Sequence, residues 1–204
     1  MKPDEHGLLP LIVATRNSGK AREFSLLLAG LPLRLETLEA HPEAPQVDED
    51  GQTYLANAEA KAVAVARACG VPALADDSGL EVDALGGQPG VRSARFSTMG
   101  ERGNVERVLA ELRSVPETKR TARFRCVLIV ARPDGCTISA EGTCEGTIAF
   151  APAGTDGFGY DPVFVDPESG RTFAELPADR KNQISHRARA CAALRGKLME
   201  FLAG

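Results

Sequence analysis

Residues 8–20 of the chain read LLPLIVATRNSGK, and this stretch decides the type of fold. Leu8–Thr15 is apolar and β-branched enough to predict a buried strand, and Arg16–Lys20 is a polar turn that contains a glycine. The pattern predicts a helix after the turn, ending near Gly30. A buried strand that passes through a short turn into a helix favours a fold that mixes the two elements.

Strand and helix patterns also follow one another along the rest of the chain. Apolar residues recur at helical spacing between Thr53, which can cap the start of a helix, and Gly70, which can end it. The other expected elements are a half-buried strand at Leu33–Leu38, a short buried strand at Ala73–Asp77, a helix near Val105–Leu112, long strands around Thr121–Ala131 and Thr137–Phe150, and an amphipathic C-terminal helix. The sequence therefore predicts a mixed α/β fold.

The composition limits the number of domains and the kind of ligand. Of 204 residues, 43% are hydrophobic and 25% charged, which favours one domain over residues 1–204 with residues 1–7 as a flexible N-terminal extension. The net charge of -4 provides no general basic field for a nucleic-acid polymer, so a small anionic ligand fits better. We expect no membrane partner and a cytoplasmic location, because the chain has neither an apolar run of about 18 residues nor a signal-peptide pattern.

The cysteines and two of the histidines give no sign of a site. Cysteines stand at positions 69, 126, 136, 144 and 191, without a CxxC motif or a Cys/His pair at metal-ligand spacing. Several lie in apolar runs, so we interpret them as reduced residues that pack in the core. His6 and His41 are interpreted as ordinary surface residues.

The turn after the first strand carries many hydrogen-bond donors. Its residues are Thr15, Arg16, Asn17, Ser18, Gly19 and Lys20. Backbone amides at a helix start, together with hydroxyl, carboxamide and ammonium groups, suit phosphate oxygens. It is not a Walker loop, because Ala14 replaces the first glycine and Ala21 replaces the Ser or Thr that binds magnesium. The same pattern is also typical of plain helix capping without a ligand.

Two acidic clusters suggest a divalent cation. They are Asp48-Glu49-Asp50, in a Pro-containing loop, and Asp76-Asp77, which follows the apolar residues 73–75. Adjacent carboxylates repel each other and are costly to desolvate, and a hard cation with oxygen ligands cancels both penalties, so Mg²⁺ is the natural candidate. Each cluster also has a simpler interpretation, a solvated loop for the first and a turn cap for the second.

A third group of residues lies near the C-terminus. It comprises Gly157–Pro162, which reads GFGYDP, then Lys181, and then Ser185, His186 and Arg187. A glycine beside an aromatic lets a ring lie flat against a planar ligand such as a nucleobase. If Ser185 caps the final helix, two cationic residues occupy its first turn, where the helix dipole disfavours them, and such a placement is often functional. Alternatively, the helix begins near Asp179 and both residues are ordinary solvated side chains.

Taken together, these segments resemble the inosine triphosphate pyrophosphatase family. Five blocks match in order and at compatible spacing: Thr15–Lys20, EDGQTYLANAEAK from Glu49 to Lys61, ADDSGLEVDALGGQPGVRSAR from Ala75, GFGYDP from Gly157, and KNQISHR from Lys181. The match runs from about residue 10 to residue 202, so it is far more specific than a single motif.

The resemblance implies a long twisted central sheet flanked by helices, two lobes around a nucleotide cleft, and a homodimer. It implies hydrolysis of non-canonical purine nucleoside triphosphates (ITP, dITP and XTP) to the monophosphate and pyrophosphate, with Mg²⁺ as cofactor. The family's triphosphate-binding positions fall here on Thr15, Asn17, Lys20 and Lys61, in the blocks that also hold Arg16, Ser18 and Gly19. Its magnesium positions fall on Glu49, Asp76 and Asp77, and the base that activates water falls on Asp77.

The family's base pocket also maps onto this sequence. Its positions fall on Phe158 for stacking and on Asp161, Lys181, His186 and Arg187 for the base edge, with Ser78 touching the nucleotide and with Gly159 and Tyr160 in the same block. The chain departs from the family pattern at Tyr160, where many relatives have tryptophan, at Arg92, where an aromatic is common, and at Ala153, where a basic residue is common. These departures concern the loops and the base preference.

Three rival functions are weaker. A related pyrophosphatase for modified pyrimidines or 7-methylguanosine triphosphate is opposed by the GFGYDP and SHR blocks. A non-catalytic nucleotide sensor would need neither Glu49 nor the aspartate pair. A kinase or GTPase is the weakest option, because the Walker pattern fails at both ends. The sequence leaves open the order of preference among the triphosphates and which aspartate is the ligand and which the base.

Overall fold

A computed structural model describes residues 4–204 of the chain. Its strands are β1 (Leu9–Val13), β2 (Leu33–Thr37), β3 (Ala73–Val82), β4 (Thr121–Ala131), β5 (Thr137–Ile148), β6 (Phe164–Asp166) and β7 (Arg171–Thr172). Its α-helices are α1 (Ser18–Leu27), α2 (Tyr54–Cys69), α3 (Gly100–Glu111), α4 (Ala178–Ile184) and α5 (His186–Ala203). The part of the predicted N-terminal extension before Asp4 lies outside the described residues. Residues 4–7 form a turn in which the Asp4 carboxylate accepts from the backbone of His6 and Leu8, each at 2.9 Å.

The strands form one open sheet of mixed direction. Within the described residues its order is β2-β1-β3-β4-β5-β6-β7. β1 pairs in parallel with both β2 and β3, whereas β6 is antiparallel to β5 and β7. Helices flank this sheet, so the predicted mixed α/β fold is confirmed.

The chain divides into two compact units, and three strands contribute to both. Unit 1 consists of the chain up to Asp77 with Cys126–Gly142 and Arg187–Gly204, and unit 2 consists of Ser78–Arg125 and Thr143–His186. In unit 1, one core packs β1, α1 and α5 around Leu11, Phe24 and Leu194, and another packs α2 around Ile12 and Ala62. Unit 2 has its own core, which includes Phe124, Phe164 and Phe173.

Helix α2 follows directly from its sequence. The Thr53 hydroxyl accepts from the backbone N–H of Ala56 at 3.1 Å, which caps the helix as predicted. Gly70 ends the helix in the left-handed conformation at φ 66°, which a residue with a side chain rarely adopts. Small apolar residues on one face, Ala58 and Ala62 among them, are fully buried, so α2 packs closely against the rest of unit 1.

Two expected element boundaries are wrong, and a third region combines two alternatives. β3 does not end at Asp77 but continues to Val82, because Leu80 and Val82 provide further buried positions and Ser78-Gly79 stays extended. Helix α3 begins at Gly100, earlier than the apolar pattern around Val105 suggests. The two alternatives for the C-terminus are each partly correct, since α4 covers Asp179 and a separate helix, α5, begins at His186 after an extended Ser185. The interpretation of His186 and Arg187 as solvated side chains is wrong, because they are only 3% and 4% exposed.

The interpretation of the cysteines holds in part. All five are free, and Cys126, Cys144 and Cys191 are buried in apolar clusters. Burial raises the pKa of the Cys191 thiol to about 12, so this residue is inert at neutral pH. The core interpretation is wrong for Cys136, which is exposed in the turn after β4. Among residues 4–204, no helix combines the length and apolar character that spanning a bilayer requires.

Candidate functional site

The turn between β1 and α1 is built as a helix start. Asn17 is the N-cap of α1, and its carboxamide oxygen accepts from the backbone N–H of Lys20 at 3.0 Å. The N–H of Asn17 in turn donates to the Thr15 hydroxyl at 3.2 Å. Arg16 and Ser18 are exposed, and Gly19 is half-buried. Capping therefore uses the Asn17 oxygen, and the start of the helix is a place where an anion is favoured.

Asp76 lies in the middle of β3 and is enclosed by cations. Its side chain is 1% exposed, and its Oδ2 lies 2.9 Å from Lys20 Nζ and 3.4 Å from Arg187 Nε. Burial opposes the charged form, but the attraction of Lys20 and Arg187 is stronger and holds the pKa of Asp76 well below its usual range. Asp76 is therefore ionised and fixed in position.

The neighbouring Asp77 has different surroundings. Its residue is 4% exposed, and its Oδ2 accepts from Asn57 Nδ2 at 2.8 Å. Burial raises the pKa of Asp77, and the negative charge of Glu49 adds to that, whereas the hydrogen bond from Asn57 and the charge of Lys61 act in the opposite direction. Two adjacent carboxylates on one strand thus differ in basicity, which is the usual basis for dividing roles between acids.

Helix α2 brings two polar side chains to the aspartate pair. Asn57 and Lys61 are one turn apart, as their spacing predicts. Asn57 is 2% exposed and reaches Asp77, and Lys61 Nζ donates to the backbone oxygen of Asp76 at 2.6 Å and to the carboxylate of Glu49. The face that carries them therefore points to the acids rather than to water.

The three acidic residues in the loop before α2 differ in their exposure to solvent. Asp48 and Asp50 are exposed, which fits the solvated-loop interpretation, but Glu49 is half-buried and pairs with Lys61. Glu49, Asp76 and Asp77 all belong to unit 1 and offer carboxylate oxygens, the ligands that a hard divalent cation prefers. The chemistry of these oxygens suits a magnesium ion, although Lys20 and Arg187 already contact Asp76 and Lys61 already contacts Glu49.

In unit 2, the residues of the GFGYDP block form a small group around Asp161. The Asp161 Oδ2 atom accepts from the backbone N–H of Phe158 at 2.8 Å and from Lys181 Nζ at 2.6 Å, and both Asp161 and Lys181 are almost fully buried. Lys181 Nζ lies 5.0 Å from the centroid of the Phe158 ring. One carboxylate thus positions both an aromatic ring and an ammonium group.

Glycine is required in this loop for steric reasons. Gly157 has a φ of 78°, and a Cβ at this position would lie 2.1 Å from the Asp161 carboxylate. Gly159 also has a positive φ, and its N–H donates to Glu101 at 2.9 Å. The loop before Asp161 is therefore held at two points, by Asp161 itself and by a glutamate on α3.

Two other predicted base-pocket residues lie in packed surroundings. The Tyr160 hydroxyl donates to the backbone oxygen of Ser93 at 2.8 Å, and burial raises the pKa of this phenol. His186 is 3% exposed, and its ring stacks on Phe124 with 4.7 Å between centroids. Ser78 is half-buried and follows Asp77 on β3.

Arg187 belongs to unit 1, unlike His186 before it. Its guanidinium contacts Glu23 at 2.7 Å and Asp76 at 3.4 Å, and its side chain is 5% exposed. The charges of Asp76 and Glu23 outweigh the effect of burial and raise the pKa of Arg187. Within its unit, Arg187 therefore belongs to the group around Glu49, Asp76 and Asp77, which we call the acidic centre.

Three residues at the candidate site were not predicted from the sequence. No role was predicted for Asn57, Glu23 or Glu101, yet each contacts a predicted site residue. Asn57 could have been recognised from its position one turn before Lys61. Glu23 and Glu101 contact residues far away in the sequence, and no local pattern points to such contacts.

A surface cavity of about 450 Å³ lies beside the glycine-rich loop of unit 2. Its walls include Gly157, Phe158 and Gly159 on one side and Glu101 and Val105 of α3 on the other. Its volume lies in the range of small-molecule sites. Neither Asp161 nor Lys181 lines it, so it shares only part of the predicted base pocket.

Comparison with known proteins agrees with these observations. The family model described as the Ham1 family matches residues 11–197. A "dITP/XTP pyrophosphatase" of Geobacter sulfurreducens is 50% identical over 190 residues, covering 92% of this chain and 96% of the relative. One from Geobacillus kaustophilus is 49% identical over 196 residues, covering 95% and 96%.

Solved structures give the same result. The Ham1 protein of Coxiella burnetii superposes with a TM-score of 0.85 at 37% identity, covering 95% of this chain and all 100% of that one. The Ham1 protein of Staphylococcus aureus gives 0.81 at 36% identity, covering 94% and 99%. Because both the sequence match and the structural match extend over nearly the whole chain, the resemblance found in the five sequence blocks is confirmed, and the chain belongs to the Ham1 family.

Proposed function

We propose that this chain hydrolyses non-canonical purine nucleoside triphosphates, namely ITP, dITP and XTP, to the nucleoside monophosphate and pyrophosphate. The observation that carries the proposal is the pair of adjacent buried carboxylates on β3. Asp76 is fixed among cations, and the pKa of Asp77 is raised by burial. The family membership and the names of the relatives support the substrate class.

The triphosphate is assigned to the donors of unit 1. The backbone amides and the Ser18 hydroxyl at the start of α1, the Thr15 hydroxyl and the Asn17 Nδ2 group are donors suited to phosphate oxygens. Lys20 neutralises negative charge as pyrophosphate leaves, and it is already oriented by its contact with Asp76. Arg16, Gly19 and Lys61 complete this predicted set.

The proposed cofactor is Mg²⁺, held by Glu49, Asp76 and Asp77. When bound, the ion would neutralise charge on the phosphate oxygens and act as a Lewis acid at phosphorus. Lys61 contributes from the protein side, because it holds Glu49 and the backbone of Asp76 in position at once. Replacing Lys61 would therefore disturb both groups.

Asp77 is proposed as the general base. Its carboxylate can accept a proton, and the hydrogen bond from Asn57 fixes its orientation. The carboxylate takes a proton from a water molecule, the water oxygen bonds to the α-phosphorus, and the bond from that phosphorus to the bridging oxygen of pyrophosphate breaks. Because charge is spread over phosphoryl oxygens, positioning and cations supply most of the catalysis, without a covalent intermediate.

Base recognition is assigned to unit 2. Phe158 is a stacking surface, and Lys181 is a donor for the 6-keto oxygen that hypoxanthine and xanthine have and adenine lacks. Asp161 holds both residues in place, and Ser78, Gly159, Tyr160 and His186 belong to the same predicted pocket. Arg187 was also predicted to contact the base, but its contacts with Asp76 and Glu23 favour a role at the acidic centre.

The decisive experiment measures pyrophosphate separately from orthophosphate. ITP, XTP, GTP and ATP are compared at equal concentration with Mg²⁺ and with excess chelator. We expect magnesium-dependent pyrophosphate release from ITP and XTP, and about 10²-fold or more slower release from ATP. Release of orthophosphate instead, or tight binding without turnover, would identify a phosphatase or a nucleotide sensor.

Two further parts of the proposal concern the whole molecule. We propose a homodimer, which sedimentation velocity at micromolar concentration would test, and a cytoplasmic location, which fractionation of the source cells would test. A monomer at all concentrations would leave the assigned chemistry unchanged.

A further inference from the structure

A second group of metal-ligating side chains lies in unit 1, apart from the acidic centre. The three ligand atoms are a ring nitrogen of His41, a carboxylate oxygen of Glu43 and Cys69 Sγ, and all lie within 4.8 Å of one another. Of the two ring nitrogens, Nδ1 is the one that contacts Glu43. The surface interpretation of His41 is thus wrong, because its side chain is 12% exposed and both ring nitrogens contact carboxylates. The sequence did not indicate this group, because its members are far apart in the chain: His41 follows β2, and Cys69 ends α2.

The donor set indicates which cation would fit. Imidazole nitrogen, thiolate sulfur and carboxylate oxygen together suit a borderline-soft ion such as Zn²⁺, whereas Mg²⁺ and Ca²⁺ prefer oxygen alone. In a tetrahedral zinc site, ligand atoms about 2.0–2.3 Å from the ion lie ~3.3–3.8 Å apart. The Nδ1 to Glu43 distance is already 3.0 Å, so small side-chain rotations would bring the three atoms into range.

The other ring nitrogen of His41 has the partner that a metal-bound histidine usually has. His41 Nε2 lies 2.6 Å from Glu36 Oε2, and the second oxygen of Glu36 is held by Arg34 at 2.8 Å. Histidines that bind zinc commonly donate their second N–H to a carboxylate, which fixes the tautomer and turns the lone pair toward the ion. Here Nε2–H donates to Glu36, and Nδ1, whose proton goes to Glu43 in the metal-free protein, is the nitrogen left for an ion.

We propose that His41, Glu43 and Cys69 form a Zn²⁺ site, with Glu36 orienting His41 and with a fourth coordination position open to water. Binding replaces the proton of the thiol and any proton on Nδ1 by the metal, and these protons pass to solvent. In the metal-free protein, burial and the nearby Glu43 charge raise the pKa of Cys69, which keeps the sulfur as a thiol that donates to Glu43.

The proposed zinc site would join two segments that also lead to the acidic centre. His41 and Glu43 lie in the loop that leads to Glu49, and Cys69 is the last residue of the helix that carries Asn57 and Lys61. A metal that joins this loop to the end of α2 would restrain both segments. We expect Zn²⁺ in the presence of excess Mg²⁺ to raise Tm by about 2–4 °C, the shift that corresponds to a modest binding stabilisation in a chain of this size.

The test uses Co²⁺ as a spectroscopic substitute for zinc. Full-length metal-free protein, kept reduced with a non-thiol reductant and supplied with excess Mg²⁺ to occupy oxygen-ligand sites, is titrated with Co²⁺. We expect a thiolate-to-cobalt charge-transfer band that saturates at one Co²⁺ per chain and disappears when Zn²⁺ is added. Oxygen ligands alone cannot give this band, so the acidic centre does not interfere with the measurement.

Matched variants assign the ligands. Cys69→Ser should abolish the band and His41→Gln should weaken Co²⁺ binding at least ~10-fold, whereas Cys136→Ser and His6→Gln, which change an exposed cysteine and an exposed histidine elsewhere, should leave it intact. No band in the wild-type protein, or a band that survives Cys69→Ser, overturns the proposal.

A second measurement needs no variant. Wild-type protein is alkylated with iodoacetamide with and without Zn²⁺, and the labelled peptides are identified by mass spectrometry. Zinc should protect Cys69 while the labelling of Cys136 is unchanged. Equal labelling of Cys69 in both samples contradicts the site even if the Cys69→Ser variant fails to fold.

Discussion

The acidic centre of unit 1 and the group around Phe158 and Asp161 in unit 2 are held in place by different kinds of structure. In unit 1, Asp76 and Asp77 lie on a central strand, and their partners come from α1, α2 and α5. In unit 2, Phe158 lies on a glycine-rich loop held by Asp161 and by Glu101 of α3. The first group is fixed by several regular elements, and the second depends on a loop that is held at two points.

For the function proposed above, this difference assigns the reaction to unit 1 and the selectivity to the loop of unit 2. Catalytic carboxylates must stay within a few tenths of an ångström of a productive geometry, and sites on strands and helices achieve this better than loops do. A base-binding loop can change its residues without disturbing that geometry. Substitutions in unit 1 should therefore change turnover, and substitutions in the loop should change substrate affinity and preference.

The largest effect is expected for Asp77→Asn. The amide has nearly the same shape but cannot accept the proton from water, so kcat for ITP should fall about 10²–10⁴-fold, while the preference for ITP over ATP is unchanged. The measurement is steady-state pyrophosphate release together with a thermal melt. Folding should survive, because the substitution removes a buried carboxylate whose charged form is disfavoured by burial.

The control for Asp77→Asn is Asp50→Asn, the same chemical change at an exposed position of the same unit. It should leave kcat within about twofold of the wild type, as surface substitutions usually do. If both variants behave alike, or if Asp77→Asn retains normal turnover, Asp77 is not the base.

An intermediate effect is expected for Phe158→Ala. Stacking of a base on an aromatic ring contributes ~1–3 kcal/mol, so KM for ITP should rise about 5- to 150-fold while kcat changes much less. Phe158→Tyr keeps the ring and should restore most of the affinity. A loss of kcat with unchanged KM would contradict the separation between the two units.

The elements that could be predicted from the sequence are those fixed by local chemistry. Helix α2 has a regular apolar face and caps at Thr53 and Gly70, so both of its ends were predicted correctly. β1 and β4 are continuous apolar or alternating segments, and they also lie where expected. β3 was predicted too short, because Ser78-Gly79 looks like a turn unless the partners of the strand are known.

The candidate site could be predicted only as a set of residues. Local pattern and resemblance identified Asp76, Asp77 and Lys61, but not that Lys20 and Arg187 both contact Asp76. That contact joins two helices distant in the sequence, and residue spacing does not encode it. The His41 and Cys69 pair was missed for the same reason.

The smallest effect is expected for Tyr160→Phe, which tests whether Tyr160 packs or contacts the base. Its hydroxyl donates to the Ser93 backbone oxygen inside unit 2, and its ring belongs to the unit 2 core. Removing the hydroxyl should cost about 1 kcal/mol of unfolding free energy, measured by urea denaturation, with the ITP to ATP preference unchanged. If stability were unaffected and the preference shifted, the hydroxyl would have to leave Ser93 when substrate binds, and the loop would be more adaptable than its two anchors indicate.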